Sequence, residues 1–224
     1  MGRSVQDSAP FGISRRTVLK AGAAAATFAT VPVAAPSILR AQTPAVKIGI
    51  LQPVTGALAH DGDLGRLGAE MAINEINAAG GIKSLGGARI EMVFGDARST
   101  PEAGTQEVER MQAEGVCAIV GGFASPICLA ASQAAARYDL PYLVDVGVSD
   151  QIMARGLTNT FRFSPGFGKV TQVALDNLTR INELAGKPAK TVVLVHEDGL
   201  FGSGLAKLLQ AELPKRGFEI LETI

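Results

Sequence analysis

Ser125 closes the run Gly121-Gly122-Phe123-Ala124-Ser125 and is followed by Pro126. Neighbouring glycines let a backbone approach a bound molecule closely. Ser-Pro is a pair that opens helices, with the hydroxyl as N-cap and the ring at the first helical position. A carboxylate set down at such a helix start meets the serine hydroxyl, backbone amides without helical partners and the positive end of the helix dipole. Capping of its own helix would account for the serine equally well, and the residue types allow both.

Two other clusters carry titratable groups. His60-Asp61-Gly62-Asp63 and His196-Glu197-Asp198 each set an imidazole beside carboxylates, which suits a metal or a proton relay. Neither has the HxxxH or HxxE spacing of a helical ligand pair, and polar residues at the lip of a cleft are the plainer reading; no metal is expected. Cys117 and Cys128 are the only cysteines, and without CxxC or Cys/His spacing they imply no zinc site and leave pairing open. Gly62-x-x-Gly65-x-x-Gly68 begins ten positions after Gln52 and lacks the G-x-G opening of a dinucleotide fingerprint. No cofactor is expected, and the glycines read as small residues that let a helix lie close on a sheet. The stretch ending Ser125-Pro126 lacks the second glycine of the G-x-S-x-G elbow, and no histidine is placed for a triad, so an enzyme is not expected. Phe123, Phe167 and Phe201 fall near the edges of the expected cleft, where they would shield an apolar or aromatic solute or serve lobe packing.

The elements that position these residues alternate. The apolar run 46–52 ends at Pro53 and reads as a buried strand; a helix follows over about 63–79, where Leu64, Leu67, Met71 and Ile76 recur near helical spacing and Gly80-Gly81 stops it. Strand 89–95, a helix capped by Ser99 or Thr100 and running to Glu114, strand 117–120, helix 125–138 and strand 141–145 continue the rhythm. Glu107, Glu109, Arg110 and Glu114 form a solvated helix face. Strand and helix in alternation build a parallel sheet covered on both faces. After Phe161-Arg162-Phe163 the run Ser164-Pro165-Gly166 breaks the pattern, and helix 169–185, strand 191–196, helix 200–215 and an alternating run from Phe218 resume it. In open parallel sheets the ligand lies beyond the carboxyl ends of the strands, which singles out loops 53–62, 121–126 and 146–150.

The chain has 224 residues with 21 basic and 21 acidic side chains, 26 glycines and no tryptophan. Residues 1–41 hold five of the basic residues (Arg3, Arg15, Arg16, Lys20, Arg40) against one acid, Asp7, so the remainder is mildly acidic and offers no basic face to nucleic acid. Ser14-Arg15-Arg16-Thr17-Val18-Leu19-Lys20, followed by the Ala-rich stretch 21–35, has the form of a twin-arginine export signal, with a cleavage point expected after Ala41. That stretch is too short and too interrupted by Pro32 and Pro36 for a membrane span.

Beyond these patterns, the chain from about residue 46 onward resembles the leucine/isoleucine/valine-binding protein family. The likeness is carried by 46–52, by Gly68-Ala69-Glu70-Met71-Ala72-Ile73-Asn74-Glu75-Ile76-Asn77-Ala78-Ala79-Gly80-Gly81-Ile82, by the strand ending in Asp96, by Val120-Gly121 leading to Ser125, by Leu140-Pro141-Tyr142 and by His196-Glu197-Asp198-Gly199-Leu200-Phe201-Gly202. The resemblance implies an α/β, type I periplasmic-binding-protein fold: two Rossmann-like parallel-sheet lobes joined by a hinge and closing on a solute. Ser125 then matches the serine that grips the ligand carboxylate, with Phe123 and Ala124 beside it. Val146 and Gly147 match the segment that completes the contacts. Val148 stands where amino-acid binders commonly carry threonine, and Asp61, next to His60, stands where some place an aromatic residue. Neither replacement can do the original work, since valine offers no hydrogen bond and aspartate does not stack.

The expected organisation is a signal over 1–41, a ligand-binding lobe over 45–163, a hinge over 164–168 and an incomplete second lobe over 169–224. The expected role is that of a periplasmic receptor of an ABC importer, delivering a small carboxylate-bearing solute, with amino acids favoured, to a permease in the inner membrane. Aromatic or aliphatic carboxylates and amides, a sensor domain of the same fold and, further off, an exported Rossmann-type oxidoreductase are the alternatives.

Overall fold

The computed structural model describes residues 43–224. The expected export signal lies outside the described residues. Five parallel strands form one sheet in the order β2-β1-β3-β4-β5: β1 Val46–Gln52, β2 Ile90–Asp96, β3 Ala118–Gly121, β4 Tyr142–Val144 and β5 Thr160–Arg162. Register is continuous from Val46 opposite Ile90 to Gln52 opposite Asp96, and Leu51 lies opposite Gly121 on the other side of β1. Helices α1 Ala59–Ala78, α2 Pro101–Ala113 and α3 Ser125–Ala136 connect the first four strands. With β1 at the centre and neighbours added on both sides, the chain reverses direction of growth between β2 and β3. The crevice at such a reversal is where open α/β sheets hold ligands.

Side chains alternate across β1, so its two faces meet different helices. A Cβ at Gly49 would stand 2.7 Å from Sδ of Met111 on α2, and one at Gly65 on α1 would stand 3.0 Å from the Gln52 amide. The α2 side carries the main core, in which Leu51, Met111, Ile119, Ile127, Tyr142 and Val144 are all but inaccessible. Thr100 caps α2, its hydroxyl accepting from the Ala103 amide at 3.2 Å, with Pro101 in the first turn as expected.

Helix α1 departs from its expected face. Its pattern of Leu64, Leu67, Met71 and Ile76 suggests these residues as the inward stripe, yet all four are exposed. The helix instead lies on the sheet through its small residues: a Cβ at Gly62 would fall 2.1 Å from the Pro53 carbonyl oxygen. Asn77 fastens the far end, its side-chain amide exchanging hydrogen bonds with both backbone groups of Ile90 at 2.9 and 2.8 Å. Close approach of backbones leaves no room for larger residues on that side.

Beyond β5 the chain enters α4 Phe167–Leu184, followed by β6 Thr191–Leu194, α5 Leu200–Glu212 and β7 Glu219–Thr223. Strands β6 and β7 pair in parallel as a separate two-stranded sheet. Leu175, Leu213 and Phe218 form the small core beneath it. No helix among the described residues is long and apolar enough to cross a membrane.

Candidate functional site

A cavity of about 480 Å³ opens at the carboxyl ends of β1, β3 and β4, in the size range of small-molecule sites. Phe123, Ala124, Ser125 and Pro126 line it from the β3–α3 turn, Val146, Gly147 and Val148 from the loop after β4, and Leu58 from the turn before α1. Glu197 and Phe201 close it from the second sheet's side. Its walls are mostly apolar with a few polar groups, the usual constitution of a pocket that fixes orientation at one end of a ligand.

The β3–α3 turn is sharply formed. Gly121 and Gly122 have φ of 128° and 106°, and Phe123 follows at 45°, a left-handed conformation that costs a non-glycine residue about 1–3 kcal/mol. Contacts hold it there. The Gly122 amide donates to the Leu51 carbonyl at 2.7 Å, and a Cβ at Gly121 would lie 2.1 Å from that same oxygen. Under the turn, Tyr142 Oη donates to the Gly121 carbonyl at 3.3 Å. Burial, with Cys128 and Asp145 nearby, keeps the Tyr142 phenol protonated well above its ordinary range. The Cys128 thiol is pushed up the same way, first by burial and then by Asp145. Cys128 is therefore an inert packing group. Both cysteines are free, with Cys117 exposed.

Ser125 is not the cap that its position before a proline suggests. Ala124, with φ −78° and ψ 138°, takes the N-cap place, and Ser125 is the first residue of α3. No side chain caps the helix. The first helical bond runs from the Cys128 amide to the Ala124 carbonyl at 2.9 Å, which leaves the Ser125 and Ile127 amides without intrahelical partners. The Ser125 hydroxyl accepts from the Ser149 amide at 3.2 Å and is 2% exposed. Its proton remains available to an acceptor in the cavity. Hydroxyl, helix amides and helix dipole thus converge on one end of an apolar cavity, an arrangement suited to an anionic oxygen.

His60 and Asp61 do not line this cavity. Helix α1 begins at Ala59, earlier than the expected 63, so both residues belong to its first turn. With Gly62 pressed against Pro53, they turn outward and are exposed. His196 follows β6, its Nδ1 2.8 Å from the Glu197 carbonyl. Among the described residues no three His, Cys, Asp or Glu side chains come together as a metal site would require. Phe167 is buried and packs on Phe201 with ring centroids 5.6 Å apart, so of the three flagged phenylalanines only Phe123 and Phe201 face the cavity.

Several residues that shape the site carry no motif. Gln52, buried at the end of β1, donates through Nε2 to Asp145 Oδ2 at 2.5 Å, while Asp145 Oδ1 accepts from the Val146 amide at 2.7 Å. Arg162 donates through Nη1 to the carbonyls of Val148 and Ser149 at 3.1 and 3.0 Å, and pairs with Asp150 at 3.4 Å. Phe167 and Gly168 add backbone donors to the Val148 carbonyl and the Asp150 carboxylate. The crossover into α4 is therefore bonded to the loop that lines the cavity. Asp96 organises the turn leading to Leu58: it accepts from Thr55 Oγ1 at 2.6 Å and from the Val54, Thr55 and Arg98 amides. Burial would raise its pKa, but the hydrogen bonds from Thr55, Arg98 and Val54 prevail and hold the carboxyl below its usual value.

The periplasmic binding protein family model matches residues 45–224. A Leu/Ile/Val-binding protein homolog 7 from Brucella melitensis is 33% identical over 179 residues, spanning 79% of this chain and 44% of that relative. Among solved structures, the branched-chain amino acid transporter substrate binding protein of Streptococcus pneumoniae in complex with isoleucine superimposes with a TM-score of 0.67 at 26% identity, covering 80% of this chain and 49% of that one. A solute binding protein of an ABC transporter from Rhodopseudomonas palustris, in complex with 3,4-dihydroxybenzoic acid, gives 0.68 at 20% identity, covering 80% and 47%. The chain thus spans about half the length of the relatives it matches. With a parallel α/β sheet, a cavity at its switch point and a match running from residue 45 to 224, the chain belongs to the periplasmic binding protein family.

Proposed function

We propose that this chain is part of an extracytoplasmic, non-catalytic receptor of an ABC importer, which captures a small carboxylate-bearing solute and presents it to an inner-membrane permease. The observation that carries this reading is Ser125, buried at the cavity wall with an unspent hydroxyl proton beside the free amides of the α3 N-terminus. In this reading residues 1–41 are the export signal, 45–163 the lobe that grips the carboxylate, 164–168 the hinge and 169–224 part of the opposing lobe.

The solute's remaining surface meets Phe123, Val148 and Phe201. Val148 brings no hydroxyl to an ammonium group, and Glu197 is the lining carboxylate available to one. Isoleucine and 3,4-dihydroxybenzoic acid, held by the two solved relatives, share only a carboxylate beside apolar surface. That shared chemistry supports the carboxylate as the recognised feature. An aromatic or aliphatic acid is the second reading, favoured by the two phenylalanines and Val148.

A thermal-shift screen of the mature, full-length protein against amino acids, aromatic and aliphatic acids, amides and nucleotide cofactors tests the proposal, because a ligand that binds only the native state raises its melting temperature. A shift with carboxylates, absent with their amides, supports it. A shift with a nucleotide cofactor alone defeats it.

A further inference from the structure

Among the described residues that line the cavity, Glu197 alone carries a charged side chain, and no lysine or arginine lines it. The surrounding backbone seats that carboxylate. The first internal bond of α5 runs from the Ser203 amide to the Gly199 carbonyl at 3.0 Å, so the Gly202 amide has no partner within the helix. Glu197 Oε1 accepts from it at 2.5 Å. A Cβ at Gly199 would stand 3.0 Å from Glu197 Cδ, and one at Gly202 would stand 2.9 Å from Glu197 Cγ. Gly199 has φ −117° and ψ −176°, extended backbone open to any residue, so room for the glutamate and not conformation favours glycine there. Two helices thus begin at this cavity and differ in one respect. At α3 no side chain caps the N-terminus, whereas at α5 the chain's own carboxylate has taken the positive end of the dipole.

We infer that Glu197 makes the site selective for solutes with a single anionic group: a carboxylate at Ser125 and a neutral or hydrogen-bond-donating group, never a second carboxylate, toward Glu197. This rests on the carboxylate reading proposed above and narrows it. A dicarboxylate with one group at Ser125 brings the other toward a wall that also only accepts hydrogen bonds. No cation among the lining residues offsets the two like charges, and apolar walls screen them poorly.

Calorimetric titration of the mature, full-length protein with three pairs of equal shape isolates the charge: glutarate against its monoamide, terephthalate against its monoamide, and glutamate against glutamine. Each amide should bind about tenfold or more tighter than its diacid partner. Glu197→Gln keeps the shape and the acceptor for the Gly202 amide but removes the charge, and should bring that ratio close to one. Gly199→Ala, which crowds the carboxylate out of its seat, should lower the ratio as well, with the melting transition reporting that both variants are folded. Equal binding within the pairs, or a ratio that Glu197→Gln leaves unchanged, overturns the inference and leaves the carboxylate reading standing. So does failure of every pair to bind while pentanoate, benzoate or leucine binds, since the apolar walls would then exclude polar groups without Glu197. Binding of no carboxylate at all defeats the carboxylate reading, and this selectivity with it.

Discussion

The backbone amide of Ser149 donates to Oγ of Ser125 at 3.2 Å, joining the loop after β4 to the first residue of α3 at a point where both residues are 2% exposed. This single bond has two consequences. It orients the hydroxyl, since an oxygen that accepts from one side directs its proton elsewhere. It also places the cavity-lining serine at the head of a bonded series. The Ser149 carbonyl accepts from Arg162 at the end of β5, and Arg162 pairs with Asp150, whose carboxylate accepts from the Gly168 amide at the start of α4. An acceptor bound at Ser125, as proposed, would therefore bear on the same loop that the crossover holds.

Under the proposed function, replacing Ser125 with alanine would remove a proton donor to the solute, and it strands the Ser149 amide in a buried place. The stranded amide should lower unfolding stability by about 1–3 kcal/mol, and the lost bond to a charged oxygen should cost about 1.5–3 kcal/mol of affinity, roughly ten- to a hundredfold. Urea denaturation and calorimetric titration with the solute found by screening measure the two separately. Unchanged affinity with reduced stability would reduce Ser125 to a structural link.

Arg162 has no motif around it, yet one guanidinium spans two carbonyls and a carboxylate while its side chain is only 12% exposed. Arg162→Lys keeps the charge but loses the fixed fork that reaches several acceptors at once. Arg162→Ala should destabilise by about 1–3 kcal/mol and weaken solute binding by loosening residues 146–150, with Arg162→Lys recovering only part of each. Full recovery by lysine would show that charge alone matters. Hydrogen exchange at the amides of residues 146–150 distinguishes a loosened loop from a global loss.

Much of this follows from residues whose pattern admits one reading. The run 46–52 is apolar and stopped by a proline, and β1 occupies Val46–Gln52; Thr100-Pro101 opens α2 with cap and proline in place. The family likeness placed attention on Ser125 and on residues 146–148, which line the cavity. The misread places share one cause: local pattern competes with long-range contact. Apolar spacing suggests that Leu64, Leu67 and Met71 face inward, but a backbone lying on Pro53 and Gln52 accepts only Gly62 and Gly65 there. The same packing brings His60 and Asp61 into the helix and away from the site. Ser125 yields the cap to Ala124 because its oxygen serves Ser149, 24 positions away. Gln52 and Asp145 meet across 93 positions and Arg162 acts mainly through the carbonyls of Val148 and Ser149, and neither kind of contact leaves a spacing to recognise.

Gly147 owes its identity to Cys128. A Cβ there would stand 2.6 Å from the Cys128 sulfur and 3.2 Å from Cδ1 of Ile152, and Gly147 is not among the glycines with positive φ. Gly147→Ala should therefore destabilise through overpacking, by about 1–3 kcal/mol. Cys128→Ala removes the obstructing sulfur, so the double variant should be more stable than the two single effects predict, with a coupling of about 0.5–3 kcal/mol. Gly122 provides the contrast. Its added Cβ also meets the Cys128 sulfur at 2.6 Å, but it meets Tyr142 Oη at 2.7 Å as well and φ of 106° strains any side chain there, so Cys128→Ala should rescue Gly122→Ala far less. Equal rescue at both positions would show that the Cys128 sulfur alone, and neither Tyr142 nor backbone strain, sets the cost at Gly122.

Asp96 ties the acid stability of the fold to the turn beneath Leu58. Its folded pKa lies below the ordinary 3.8, since the hydrogen bonds from Thr55, Arg98 and Val54 outweigh the opposing effect of burial. Between the folded and unfolded values the unfolded chain binds the proton that the folded chain refuses, so stability rises with pH in that window. The contribution is complete above the unfolded value and disappears as pH falls through the folded one. Asp96→Asn keeps the shape, loses the charge and offers its amide nitrogen where an acceptor is needed. The variant should be less stable than the parent at neutral pH, with a constant deficit until pH approaches 3.8, and the deficit should narrow as acid protonates the parent's carboxyl. Urea midpoints across a pH series from neutral to below 3.8 measure this. A deficit independent of pH throughout would assign the role of Asp96 to its geometry and not to its charge.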